Sequence, residues 1–233
     1  MIASTPPSQR VLDLFVPRMT DLGYKYTKKW HRFKKPFAHG VFEYCVYFDG
    51  RGGLLTLDSA FFINFTKLEA LYKKATGTGC AWTVGATLWN AGAKETRYEV
   101  YESTYGGLTP KEKSLIDPEL VHPQKRVEEA VMFLLDVHDQ FAQPFFDRMA
   151  TYRQLSDLLL DGLRGNRDSF RYFFITPQKL AMALLLARAL GDDPSELYEI
   201  AAKDKRLSVD PDGLMRKTAS FLETASPADL LLD

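Results

Sequence analysis

Cysteine is nearly missing from this chain. Only Cys45 and Cys80 occur in 233 residues, too few for a disulfide framework, and this points to the reducing cytoplasm. There is no CxxC pair. The four histidines (His31, His39, His122 and His138) include no pair at the spacing of a zincin helix. Net charge is lacking as well, because 30 Lys and Arg balance 30 Asp and Glu. Dedicated duplex-DNA and membrane-surface binders are usually clearly basic, so both roles are disfavoured. No apolar run is long enough to span a bilayer. The longest, LAMALLLARAL from Leu180 to Leu190, is broken by Arg188 and reads as a buried helix, and the opening MIASTPPSQR is too polar for a signal peptide. Walker A, GxGxxG and GxSxG motifs are all missing. These absences leave no cofactor, no metal ligand and no catalytic residue to name.

What the chain does have is apolar material, 45% of residues, enough for one large domain or two small ones. The spacing of Val11, Leu12, Phe15 and Met19 predicts a helix from Ser8 to Leu22, capped by Ser8, ended by Gly23 and kinked or split at Pro17. The pattern then changes to period two. Tyr24 to Phe33 reads as a strand. Phe42, Tyr44, Val46 and Phe48 form one face of the next strand, with Cys45 on the opposite face. Asp49 to Gly53 reads as a loop. Leu55, Leu57, Ser59, Phe61, Ile63 and Phe65 share the core face of a partner strand. A short helix is expected over Lys67 to Ala75. Further strands are expected around Trp82 to Leu88, with Cys80 at the start, and Arg97 to Glu102. After Pro110 the strand signals stop. Helices are expected over Gln124 to Phe141, ended by Pro144, then Tyr152 to Leu160, Pro177 to Leu190, Pro194 to Lys203 and Gly213 to Thr224. Strands followed by helices, and not alternating with them, define an α+β fold: an N-terminal helix, an antiparallel meander of about five strands, then a helical C-terminal half. The polar segment GLRGNRDS, Gly162 to Ser169, is the expected linker between residues 1–161 and 162–233.

One stretch stands out. Between Asp21 and Glu43 there is no acid, and Lys25, Lys28, Lys29, Arg32, Lys34 and Lys35 are interleaved with Tyr24, Tyr26, Trp30 and Phe33. Single-stranded nucleic-acid binders combine aromatic platforms with a basic groove. An edge hairpin gives the same composition when its aromatics pack inward and its lysines face water and discourage aggregation. The hairpin is preferred, since no nucleic-acid motif accompanies the stretch. Its basic face would suit an acidic protein partner.

Other candidates read as structural. His138 lies on an apolar stripe, which suits a satisfied core histidine. Cys45 and Cys80 would be nucleophiles only with a base beside them, and buried inert thiols are the expectation. Thr76-Gly77-Thr78-Gly79 leads into a strand, so it lacks the helix N-terminus that would hold a phosphate. Aromatics make up 13% of the chain. Tyr47, Trp89 and Tyr101 are expected on the sheet face opposite the core, the kind of patch enriched at protein interfaces.

Three short motifs stand in order: Leu22-Gly23-Tyr24 at a helix end, Phe62-Ile63-Asn64-Phe65 closing a hairpin, and Gln143-Pro144-Phe145-Phe146-Asp147 after a long helix. Over roughly Val11 to Leu160 the chain resembles a bacterial family of domains of unknown function, some of whose members are encoded beside toxin genes and are regarded as immunity proteins. The resemblance implies no catalytic residues. The sequence therefore leads to a non-enzymatic, cytoplasmic protein-binding module whose contact surface includes Lys28, Arg32, Tyr47, Trp89 and Tyr101. The alternatives are a small-ligand-binding protein or hydrolase with a pocket between sheet and helices, and single-stranded nucleic-acid binding through the basic strand.

Overall fold

A computed structural model describes residues 5–51, 54–87, 98–101, 123–166, 176–204, 207, 210 and 212–232. Helix α1 spans Pro7–Asp21. Strands β1 Lys25–Thr27, β2 Arg32–Phe37, β3 Gly40–Arg51 and β4 Leu54–Phe65 follow, then helix α2 Thr66–Thr76 and strands β5 Val84–Thr87 and β6 Tyr98–Tyr101. The rest is helical: α3 Pro123–Val137, a π-turn His138–Ala142, α4 Gln143–Arg148, α5 Tyr152–Leu163, α6 Pro177–Leu190, α7 Ser195–Lys203, α8 Leu214–Thr224 and a 3₁₀ turn Pro227–Leu230. The fold is α+β, with an antiparallel sheet ordered β1-β2-β3-β4-β5 and β6 paired on β4.

The last two strands depart from a simple meander. β4 is 12 residues long, about 40 Å at 3.3 Å per residue. Its start pairs with β6, Leu54 opposite Tyr101 and Leu57 opposite Tyr98. Near its end, Thr83 N–H donates to the Ile63 carbonyl at 3.0 Å, just ahead of β5. One long strand thus gives two short ones a place.

The chain forms two compact units, neither continuous in sequence. The first comprises Met1–Lys35, Glu43–Phe61 and Thr87–Pro144, and the second Pro36–Phe42, Phe62–Ala86 and Phe145–Asp233. The boundary expected between residues 161 and 162 falls inside α5, because Gly162 and Leu163 continue its buried face.

In the first unit, α1 buries Val11, Leu12, Phe15 and Met19, as their spacing requires. Two sequence expectations for this helix are corrected. Ser8 does not cap it. Pro6 is the N-cap and Pro7 opens the first turn, where a missing N–H costs nothing. Nor does Pro17 split it. Pro17 and Asp13 both lie on the exposed side, so the carbonyl that Pro17 fails to serve faces water. Gly23, at φ +87°, lets Tyr24 N–H return to the Met19 carbonyl at 3.0 Å. Phe15 meets Phe33 edge-on with centroids 5.0 Å apart, and Tyr44 lies 6.2 Å away.

Tyr24 to Phe33 is not one strand. It contains β1, a tight turn over residues 28–31, and the first residues of β2. Cα pairing sets Lys25 against Lys34, Tyr26 against Phe33 and Thr27 against Arg32. A one-residue slip would turn Phe33 outward and Arg32 into the core. The expected loop at Asp49–Gly53 also shortens, as β3 runs to Arg51.

The long helix likewise does not stop at Pro144. After Val137 the backbone widens into the π-turn, where Gln143 N–H reaches back to the His138 carbonyl. The wider turn makes room for a proline ring that would strike the carbonyl four residues earlier in a regular helix. His138 is buried. Its Nδ1 lies 2.8 Å from Asp139 Oδ1 and its Nε2 3.0 Å from the Tyr24 hydroxyl. It is a satisfied core histidine. The Tyr44 hydroxyl donates to the Leu134 carbonyl at 3.0 Å, and burial drives its ionisation well above the usual tyrosine range.

In the second unit the sheet end is aromatic. Phe37 stacks on Phe42 at 4.3 Å and Phe42 on Phe146 at 4.7 Å, while Tyr152 meets Phe65 and His39. Gly40 has no substitute here, since a Cβ would stand 1.8 Å from the Asn64 carbonyl oxygen. α5 begins with a capping box between Thr151 and Gln154. α6, capped by Thr176 and ended by Gly191 at φ +76°, is buried from Lys179 through Ala187.

Candidate functional site

The outer side of β1, β2 and β3 faces away from α1. Alternation places Lys25, Thr27, Arg32, Lys34, Glu43, Cys45 and Tyr47 there, because Phe33, Tyr44 and Val46 point inward. Glu43 is only 4% exposed, yet it holds two cations: Arg32 Nη1 donates to Oε2 at 3.2 Å and Lys34 Nζ reaches Oε1 at 3.0 Å. Removing the acid would leave two cations side by side over a covered strand, so the trio acts as one unit. Lys35 lies over the Tyr24 ring at 5.4 Å.

Cys45 faces this outer side, as expected, but it is 1% exposed. Tyr47 hydrogen-bonds it, and the charges of Arg32, Glu43 and Lys34 act on it. Burial pushes the thiol up to about 11, against the pull of Arg32. The expected buried thiol is found here. Tyr47 remains 42% exposed, and burial first, with Cys45 second, raises its hydroxyl to about 12. It stays protonated, hydrogen-bonded to the Cys45 side chain.

Of the expected contact residues, Arg32 and Tyr47 are therefore brought together, and Lys28 is exposed at the adjoining turn. Trp89 lies outside the described residues. Tyr101 is placed by its backbone, opposite Leu54 in the β4–β6 pair.

The turn itself is unusual. Trp30 has φ +66° and His31 φ +43°, the two non-glycine left-handed residues among those described. The Tyr26 hydroxyl hydrogen-bonds His31 Nδ1 at 2.8 Å, the two rings stack, and the imidazole edge meets Phe48 at 5.1 Å. Burial, and then Lys28, lower the His31 pKa, which favours the neutral ring that can accept from Tyr26. Trp30 is left 61% exposed, with Lys28 and Lys29 beside it. Tyr24 and Phe33 are buried, so half the aromatic platform a single strand of nucleic acid would need is turned into the core.

The second unit carries a site that sequence reasoning missed. Lys179, in the first turn of α6, is 7% exposed. Its ammonium donates to the Trp82 carbonyl at 3.1 Å and to the Thr83 carbonyl. The Cys80 thiol donates to the same Trp82 oxygen at 2.7 Å. The Thr83 hydroxyl donates to Glu69 Oε1 at 2.9 Å and accepts from Phe65 N–H at 3.0 Å. Burial lowers the Lys179 pKa, while Cys80 and Glu69 act to raise it; burial raises the Cys80 pKa against the pull of Lys179. A lysine in a helix's first turn opposes the helix dipole, and that was the available signal. Cys80 does not begin a strand. It lies in the coil ahead of β5 and is half-buried, not buried. Trp82 departs from the inward face shared by Val84 and Ala86: it is 41% exposed and its ring packs on Phe62 at 4.7 Å. The lysine fixes the carbonyls of this coil.

An open hollow of about 460 Å³ beside α2 and α8 is lined by Ala75, Arg216, Lys217, Ser220, Phe221 and Thr224. Among the described residues no three His, Cys, Asp or Glu side chains gather as a metal site, and no helix is long and apolar enough to cross a membrane. Comparison with protein-family models, curated proteins and solved structures returns no match.

Proposed function

We propose that this chain is a non-enzymatic protein-binding module, of the immunity type, that occludes a partner with the outer face of its sheet. The observation that carries this reading is the Arg32–Glu43–Lys34 bridge beside exposed Tyr47. A buried acid orders two partly exposed cations before any partner arrives, which lowers the entropy lost on binding. Arginine and tyrosine are among the residues enriched at protein interfaces. A cytoplasmic setting fits two free thiols.

Affinity capture from the source cell extract tests the reading. One stoichiometric protein is expected, and the double variant Arg32→Ala, Tyr47→Ala should release it. A second reading, small-ligand binding, starts from the hollow beside α8, where Arg216, Lys217, Ser220 and Thr224 suit an anion. A thermal shift with small anionic metabolites, in a protein that captures no partner, would move the conclusion there.

A further inference from the structure

The turn over residues 28–31 is costly to form. The left-handed region is unfavourable for an L-residue, and Trp30 and His31 adopt it consecutively. The register explains why the cost is borne. The Phe33 ring is fully buried, and a slip that relaxed the turn would expose it. Register does not explain why the third turn residue is tryptophan. Glycine would fit the backbone without strain, and asparagine with less. The indole is 61% exposed, so the core gains little from it. His31, held by Tyr26 and Phe48, locks the turn so that the indole projects in one direction. Strain of this kind persists where the surroundings over-determine it, and it gathers at ligand clamps.

The segment that carries the indole holds charge of one sign, with no acid between Asp21 and Glu43. Lys25, Lys28 and Lys29 are exposed, and Arg32 and Lys34 are held by Glu43. We infer that this turn is the anchor of the contact surface, and that it engages a protein whose acidic rim surrounds an apolar hollow for the Trp30 indole. The inference rests on the protein-binding reading above and adds to it the residue that dominates the contact and the chemistry of the partner. Tryptophan is the residue type most enriched among interface hot spots, and a rigid turn presents it with little further loss of freedom. Lysines at the rim speed and orient encounter with an acidic surface. A single-stranded nucleic acid fits less well, since Tyr24 and Phe33, half of the rings in the basic stretch, are buried and cannot stack on bases.

The test uses the whole chain as bait on the source cell extract, then the captured protein in purified form. Two further probes run in parallel: a 20-nucleotide oligo-dT and vesicles of phosphatidylserine and phosphatidylcholine. Trp30→Ala should weaken the purified complex by about 30-fold or more, the factor for a hot-spot residue. Lys28→Glu with Lys29→Glu should slow association about tenfold and flatten its salt dependence. The captured protein should be acidic. Capture that survives Trp30→Ala but is lost in Arg32→Ala, Tyr47→Ala overturns this inference and leaves the protein-binding reading standing. Trp30-dependent binding of the oligonucleotide or of the vesicles, tighter than that of any protein, overturns it as well. Capture of nothing overturns both.

Discussion

Lysine is used in opposite ways in the two units. In the second unit Lys179 is withdrawn from water, and its hydrogen-bonding capacity goes to two main-chain carbonyls. In the first unit Lys25, Lys28 and Lys29 stay exposed around a strained turn that holds an aromatic ring outward. A buried ammonium is tolerated only when its hydrogen bonds are complete, so the position of Lys179 marks a place where the backbone must not move. An exposed ammonium costs little anywhere, so position alone says nothing about Lys28 or Lys29. It is the distorted backbone between them that does. One unit has a stabilising polar core contact. The other keeps a destabilising surface feature, and that contrast separates scaffold from the proposed contact surface.

The contrast can be tested through stability, and the largest effect belongs to the scaffold. Gly40→Ala drives a methyl group into the Asn64 carbonyl, and urea unfolding should show a loss of about 3 kcal/mol or no folded protein. Lys179→Met should cost about 2–3 kcal/mol, because the Thr83 carbonyl is left without its donor. The pH dependence has a definite sign. The folded-state pKa of Lys179 lies below its ordinary 10.5. Between those two values the unfolded chain binds the proton and the folded chain does not. Wild-type stability should therefore rise with pH across that window relative to the methionine variant, and a flat difference would mean that Lys179 keeps its charge throughout.

The surface feature should respond in the other direction. Trp30→Gly should stabilise the protein by about 1 kcal/mol, through relief of the left-handed strain, while it weakens partner binding. A variant less stable than wild type would give Trp30 a structural role and erase the contrast. The smallest effect concerns the thiols. A maleimide or disulfide reagent under native conditions should label half-buried Cys80 first and Cys45 only on unfolding, read by peptide mass. Equal rates would show that the outer face opens at Cys45.

Periodicity carried much of the architecture. The stripe of α1, the core face of β4 and the apolar run of α6 were legible because each buries residues at the interval its backbone dictates. The misreadings arose where a local rule met a competing one. Pro17 and Pro144 read as helix breakers, but one faces water and the other follows a widened turn. The turn at residues 28–31 was hidden because neither glycine nor asparagine marks it, and strain is invisible to composition. Tyr47 could be placed on the outer face from alternation along β3, but Arg32 and Lys28 could not, because the turn at residues 28–31 breaks the period. Lys179 could not be paired with Cys80 and Thr83, because nearly a hundred residues separate them and only the packing of α6 joins them.

Formal neutrality hides a pole. Six cations lie between Asp21 and Glu43 with no acid among them, in a chain whose sequence pI is about 6.9. A cation-exchange resin at neutral pH responds to the local density of fixed charge and not to the total, so this protein should be retained on one by the hairpin alone. The same asymmetry gives a freely tumbling molecule a preferred heading as it nears an anionic surface, before any side chain touches.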